Sequence, residues 1–267
     1  MLSECDLSGK KNPLIAFFVV MHIVTVIWII QRIYIMTKMD IYQKMLVKFE
    51  IFIGPHYQQL IYFYAFFSAI DFMFYFIKFT VISLFTVYYS LTCRVIRNLI
   101  ERLLNELNED CFSEKIDNLL QVYGEITKCM STMDDELSFL VFLTVLLSMT
   151  GIFWRSYRLQ FHTSASDEYM ISLICSTVIY SLLMIMVLIS AAVTNEQANK
   201  AINEIKKVPY KIQKQSERIK CILRKDSVQD YRLTLWKIYP IHRSLIITSF
   251  GTLLTYGMLI GALGNQL

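Results

Sequence analysis

The chain has 267 residues, of which 55 % are hydrophobic and 18 % are charged, and its formal net charge is +4. A soluble domain carries about 25 % charged residues and a smaller apolar share, so the composition excludes a water-soluble globule. The small numbers of Gly (8) and Pro (4) exclude collagen-like and disordered classes, and the alternating segments of a transmembrane barrel are lacking. What remains is the all-α class, a polytopic helical membrane protein.

Five apolar blocks are long enough to cross a bilayer, which takes about 20 apolar residues. They cover residues 13–36, 60–93, 138–154, 169–193 and 244–263, within one transmembrane domain of residues 1–267. The second block overshoots the bilayer, yet no Gly or Pro between Pro55 and Gly124 breaks it. We therefore count it as one span and expect five spans in total.

The distribution of basic residues predicts the orientation of these spans. The segments that would share a side with the N-terminus carry nineteen Lys and Arg, whereas those on the other side carry five. Positive loops face the cytoplasm, so we expect a plasma-membrane protein with a cytoplasmic N-terminus and an extracellular C-terminus. The positive net charge then reflects orientation and indicates no nucleic-acid partner. No cysteine falls in a predicted outer loop, and none has zinc-site spacing, so neither a disulfide nor a metal site is expected.

The two connectors on the cytoplasmic side, residues 94–137 and 194–243, are predicted to be long amphipathic helices. Apolar residues recur along them at helical spacing. Such faces need a partner, which is either the lipid of the inner membrane surface or a cytoplasmic assembly domain. The first connector holds ten acidic and five basic residues, which favours assembly over an anionic lipid surface. Before a break near Asp110 its apolar residues are Val95, Ile96, Leu99, Ile100, Leu103, Leu104 and Leu107, and after it they are Ile116, Leu119, Leu120, Tyr123 and Ile126.

Polar residues inside the second span form a candidate ligand site. Asp71 and Lys78 lie two turns apart on nearly the same helix face, and Tyr75 belongs to the aromatic residues around them. Charge inside a membrane is costly and indicates function or pairing, and an aromatic wall suits a sugar or an apolar bitter compound. The alternative is that the aromatic rings face lipid or pack against other helices.

The last span carries two different faces. On a helical wheel the mildly polar residues occupy about a third of the circumference, while Gly257, Gly261 and Gly264 form another face suited to close helix contact. An uncharged polar stripe could serve a cation pathway, although its hydroxyls could equally bond back to the helix and merely pack. The polar face comprises Thr252, Thr255, Tyr256, Leu259, Leu263 and Gln266.

The order of spans and connectors, together with Thr255-Tyr256 and the following hydrophobic residues 257–261, resembles the C-terminal part of an arthropod gustatory receptor. That family ends its last helix with Thr-Tyr, five hydrophobic residues and Gln-Phe. Here Ala262 and Leu263 stand at the Gln-Phe positions, and a Gln follows only at Gln266. The five spans are similar to the last five of the family's seven, which implies a chain truncated at its N-terminus or a degenerate member.

The resemblance implies a chemosensory (taste) receptor that acts in signal transduction as a ligand-gated, non-selective cation channel. It implies a homo- or hetero-tetramer with related subunits, a small-molecule tastant bound in the outer half of the spans, and no cofactor. The sequence contains no catalytic motif and gives no support to an enzyme. A small polytopic transporter or accessory membrane subunit is the alternative. The implied pore residues are Thr255, Tyr256, Leu259, Ala262, Leu263 and Gln266.

Overall fold

The chain is nearly all helical in the part that the structure describes. The computed structural model describes residues 57–108, 113–161, 167–211 and 232–264, together with a few positions between 16 and 30. The four long described segments form the helices α1 (Tyr57–Asn108), α2 (Ser113–Phe161), α3 (Asp167–Lys211) and α4 (Arg243–Gly264), and the strands β1 (Thr234–Leu235) and β2 (Tyr239–Pro240).

The first three helices are much longer than a bilayer requires. α1 has 52 residues, which at a rise of about 1.5 Å per residue gives a rod well over twice the thickness of a hydrocarbon core. The prediction that the second span continues as a helix beyond Cys93 is confirmed, because α1 runs without interruption to Asn108. No Gly or Pro occurs inside it to break the hydrogen-bond ladder.

Three described helices are long and apolar enough to cross a membrane, namely Phe72–Leu107, Asn118–Leu159 and Tyr169–Lys206. They contain most or all of the second, third and fourth predicted spans. α4 includes the residues of the fifth predicted span, whereas most of the first, 13–36, lies outside the described residues. A polytopic helical membrane protein is thus supported, and the total of five spans stays a prediction.

The contacts of the chain divide it into two compact units, and the single transmembrane domain stays a prediction. One unit comprises Met1–Val87, Gly151–Ser181 and Leu259–Leu267, and the other comprises Tyr88–Thr150 and Leu182–Met258. We call them the first unit and the second unit. Each takes segments from all of α1, α2 and α3, so the units are formed by stretches that are far apart in sequence.

The core of the second unit is built around α3. Small residues such as Ala191, Ala192 and Ala201 are fully buried there, and small side chains allow helices to approach closely. Two hydrogen bonds join α3 to α1: the Ser190 hydroxyl donates to the Ser90 hydroxyl at 3.1 Å, and the Thr194 hydroxyl lies 3.4 Å from the carbonyl oxygen of Cys93. The α1–α3 contact in this unit is therefore both tight and polar.

Part of the apolar face of the first connector is buried against other residues of the same chain. Ile96, Ile100 and Leu103 are buried, whereas Val95 and Leu99 are exposed. The helical spacing was correctly predicted, but Leu103 belongs to the core of the second unit and is not available to another subunit. Only the Val95 and Leu99 side of this helix is left for an external partner.

The second connector, residues 194–243, is helical as predicted as far as Lys211, where α3 ends, but its last part is not helical. Residues 212–231 lie outside the described part, and residues 233–241 form an antiparallel β-hairpin that leads into α4. Its register pairs Thr234 with Pro240 and Leu235 with Tyr239. Trp236 and Lys237 have φ values of 50° and 57°, as the central residues of a type I′ turn require.

Candidate functional site

The predicted pore face of α4 lies on the exposed side of that helix. Thr252, Thr255, Tyr256 and Leu259 are all exposed in the single chain. Thr248, one turn before Thr252, is exposed too, which extends the hydroxyl stripe toward the start of the helix. By contrast, Ser249, next to Thr248 in the sequence, is buried, and Leu253, one turn further on, is half-buried, so α4 packs inward on that side.

The hydroxyls of this stripe bond back to the helix. The Thr255 hydroxyl donates to the carbonyl oxygen of Gly251 at 2.9 Å, and the Thr252 hydroxyl donates to that of Thr248 at 2.8 Å. Each hydroxyl oxygen keeps lone pairs that can still accept a hydrogen bond or contact a cation. The stripe therefore presents oxygen atoms without charge, and its donors are already satisfied within the helix.

The remaining predicted pore residues are only partly described. Ala262 and Leu263 belong to the helical backbone of α4, but their side chains lie outside the described part, and so does Gln266. Of the predicted glycine face, Gly257 is half-buried, yet a Cβ atom added to it would meet nothing within 4 Å. Among the described residues, no close helix contact is thus made at Gly257, and the predicted contact stays a prediction.

The start of α4 is positioned by the hairpin, which Asn195 of α3 binds at its base. The Asn195 side-chain nitrogen donates to the carbonyl oxygens of Leu233 and Ile241, both at 2.9 Å, and its oxygen accepts from the Leu233 N–H at 2.8 Å. Asn195 is only 1 % exposed. A single buried amide therefore holds both strands of the hairpin.

A carboxylate of α2 holds the first strand. Asp134 accepts hydrogen bonds from the Thr234 N–H at 2.6 Å and from the Thr234 hydroxyl at 2.8 Å. The same hydroxyl accepts from the N–H of Lys237 at 3.0 Å, which stabilises the turn. The hairpin is consequently attached to α2 by its first strand and to α3 by its base.

Aromatic packing and ion pairs complete this attachment. The Trp236 ring lies 5.5 Å from that of Phe139 and 5.2 Å from that of Phe142, and the backbone N–H of Trp236 donates to the backbone carbonyl of Ser138 at 3.2 Å. Lys237 pairs with Asp135 at 2.6 Å, and this carboxylate raises the pKa of Lys237. Exposed pairs of this kind contribute little energy on their own, so the buried amide and the aromatic contacts dominate.

The first unit contains a cluster that the sequence analysis missed. The guanidinium of Arg155 lies 4.4 Å from the centre of the Tyr180 ring, and Phe79 packs 5.2 Å away on the same ring. A cation stacked on an aromatic face is attracted by the ring quadrupole. The sequence offers one hint of this cluster, which is that Arg155 lies one residue past the third predicted span. Nothing in the sequence links Arg155 to Tyr180.

The candidate ligand residues lie on α1 in the same unit. Lys78 is half-buried and immediately precedes the buried Phe79, whereas the side chains of Asp71 and Tyr75 lie outside the described part. Among the aromatic residues around them, Phe66 and Phe74 are exposed, and Phe72 stacks on Phe76 at 6.1 Å. The candidate ligand site therefore stays a prediction, since two of its three side chains lie outside the described part.

Comparison with known proteins supplies the family. A family model described as 7tm Chemosensory receptor matches residues 6–260, nearly the whole chain. A comparison with curated proteins gives no match. The family match confirms the resemblance that the last span and the order of spans and connectors indicated.

Proposed function

The chain belongs to the 7tm chemosensory receptor family, and from this premise we propose that it is a gustatory receptor subunit that works as a ligand-gated, non-selective cation channel. The subunit resides in the plasma membrane with its N-terminus in the cytoplasm and its C-terminus outside. Four such subunits, identical or related, surround a central pore. Binding of a small-molecule tastant opens this pore and depolarises the cell.

The observation that carries this proposal is the exposed hydroxyl stripe of α4. Thr248, Thr252 and Thr255 recur every three or four residues on one face, and none of them is covered by another part of the chain in the described residues. Their donors are satisfied within the helix, and the row of uncharged oxygens that they leave exposed suits a hydrated cation. Leu259, exposed one turn further on, supplies an apolar constriction.

The tetramer is supported by the apolar surface that α1 leaves uncovered beyond the predicted second span. Val95 is 58 % exposed and Leu99 is 41 % exposed, and both lie on the predicted cytoplasmic side. In that setting water would surround these side chains, so burial against a second copy would remove apolar area from water. Contacts between these cytoplasmic surfaces would hold the subunits together and would leave the membrane segments able to move.

The ligand site is proposed to include Asp71, Tyr75 and Lys78 on α1. An ammonium that is half-buried in an apolar helix favours a polar partner, and a sugar hydroxyl or a polar group of a bitter compound would provide one. The neighbouring aromatic rings would supply contact area for the apolar faces of the same ligand.

Cysteine substitution combined with current recording tests the channel proposal. Thr252→Cys and Thr255→Cys, made in a chain from which native reactive cysteines have been removed, should react with a cationic, membrane-impermeant thiol reagent and lose tastant-evoked cation current. Leu253→Cys is the matched control, because Leu253 lies on the inward-packed side of the same helix. Equal modification at all three positions, or tastant uptake without current, would reject the pore and favour a transporter.

A further inference from the structure

The hairpin is attached to α3 mainly by the side chain of Asn195. A primary amide has two N–H donors and one oxygen, and Asn195 uses both kinds of atom on the hairpin, with three hydrogen bonds of 2.8–2.9 Å. Leu233 and Ile241, which supply the bonded backbone groups, are themselves buried. Water cannot replace these bonds, so the amide decides where both ends of the hairpin lie.

Little free chain separates this attachment from α4. Ile241 is bound by Asn195, and α4 begins two residues later at Arg243. Between them, the carbonyl of His242 accepts a hydrogen bond from the N–H of Leu245 at 3.0 Å. The guanidinium of Arg243 then pairs with Glu196, the neighbour of Asn195, at 2.6 Å. Asn195 therefore binds the chain just before α4, and the exposed Arg243–Glu196 ion pair adds one contact to the first turn of that helix.

The hairpin itself is held in an unfavourable backbone conformation. Trp236 and Lys237 both have positive φ values, which non-glycine residues adopt only when their surroundings impose it. The surroundings here are the bonds from Thr234 to Asp134 and the packing of Trp236 on Phe139. A simple connection between two helices would need neither the strained turn nor its supports, so the hairpin is built to be stiff.

We infer that the hairpin 233–241 is a latch that makes α4 move together with the adjoining ends of α2 and α3, and that Asn195 is the positioning residue that closes it. Every contact involved lies within the second unit. The role of the latch in gating rests on the proposed function: a shift of α2 or α3 on ligand binding would be passed to the pore helix. Its mechanical role does not depend on that function.

Distance measurement between spin labels tests the latch without any ligand. Labels are placed at Lys200→Cys on α3 and Thr248→Cys on α4, both exposed positions of the second unit, in the full chain with other reactive cysteines replaced. The labelled chain is diluted with unlabelled chain so that only distances within one subunit are seen. The parent should show one narrow distance distribution.

Two substitutions at Asn195 separate hydrogen bonding from shape. Asn195→Asp keeps the size of the side chain but places carboxylate oxygens against two carbonyl oxygens, so it should broaden the distribution or add a second distance, as Asn195→Ala should. Asn203→Ala, an exposed asparagine of the same helix, is the matched control and should leave the distribution narrow. A distribution that stays narrow in both Asn195 variants would overturn the latch.

Current recording on the Asn195 variants, made in a chain without the two label cysteines because Thr248 lies on the proposed pore face, connects the latch to gating. Where the parent gives tastant-evoked current, Asn195→Asp should lower the maximal current at least several-fold while the tastant still binds with parental affinity. Unchanged maximal current in a variant with a broadened distance distribution would overturn the role in gating. A parent without current would reject the proposed channel, and the distance measurement would still decide the latch.

Discussion

The close approach of α2 to the Tyr180 ring gives the sharpest stability prediction. A Cβ atom added to Gly151 would lie 3.1 Å from two ring carbons of Tyr180 and 3.2 Å from a guanidinium nitrogen of Arg155. Tyr180 is 2 % exposed and is packed by Phe79 on one side, so its ring has little room to withdraw. We therefore expect Gly151→Ala to overpack the first unit.

The size of the stability loss expected for Gly151→Ala follows from a comparison with a second helical glycine, Gly124. A Cβ at Gly124 would meet nothing within 4 Å, so Gly124→Ala should gain the helix propensity of alanine, about 1 kcal/mol. Gly151→Ala gains the same helix propensity but also loses stability through overpacking, typically about 1–3 kcal/mol. The propensity term cancels in the difference between the two variants, which should be about 1–3 kcal/mol in favour of Gly124→Ala.

Thermal unfolding of the purified chain in mild detergent measures this difference. At about 2–4 °C per kcal/mol for a chain of this size, Gly151→Ala should unfold at least a few degrees below Gly124→Ala. Gly151→Ala should lower the unfolding temperature less in a Tyr180→Leu background than in the parent. The reason is that the added Cβ atom and the Tyr180 ring share one contact, which Tyr180→Leu removes. Equal or higher stability of Gly151→Ala than of Gly124→Ala would refute the close contact.

Three further predictions concern the hairpin, the assembly surface and the orientation. Asn195→Ala leaves the Leu233 N–H and the Ile241 carbonyl without their partner, at about 1–3 kcal/mol each, so hydrogen exchange of the hairpin amides should accelerate about 30-fold or more; parental rates would contradict the hydrogen bonding. Leu99→Asp should dissociate oligomers in mild detergent without unfolding the chain, whereas Leu103→Asp should unfold it, and intact oligomers in Leu99→Asp would reject that surface. An epitope tag after Leu267 should bind antibody on intact cells, and binding only after permeabilisation would reverse the orientation.

The long helices could be predicted because their information is local. Apolar residues such as Ile96 and Ile100 recur at helical spacing, and the scarcity of Gly and Pro leaves nothing to interrupt the helix. Spacing does not say which partner covers an apolar residue, however. Leu99 and Leu103 look alike in the sequence, and only the packing shows that Leu103 is buried in its own chain while Leu99 is left exposed.

The hairpin could not be predicted because its turn carries none of the residues that mark one. Type I′ turns favour Asn-Gly or Asp-Gly, and here Trp236 and Lys237 take those positions because long-range contacts hold them there. In the sequence, Asn195 is likewise only one of several polar residues that follow a predicted span. Its partners Leu233 and Ile241 lie 38 and 46 residues away, and the close contact between Gly151 and Tyr180 also joins residues that are far apart in sequence.

The central claim is that cations pass along the hydroxyl face of α4, and single-channel conductance in charge variants of Thr255 tests it most directly. A fixed charge beside a narrow pathway attracts or repels the permeating ion through Coulomb interaction. Thr255→Asp should therefore raise cation conductance and Thr255→Lys should lower it, while Thr132→Lys, at an exposed threonine of α2, should leave it at the parental value. Equal conductance in both Thr255 variants would contradict a pore lined by this helix.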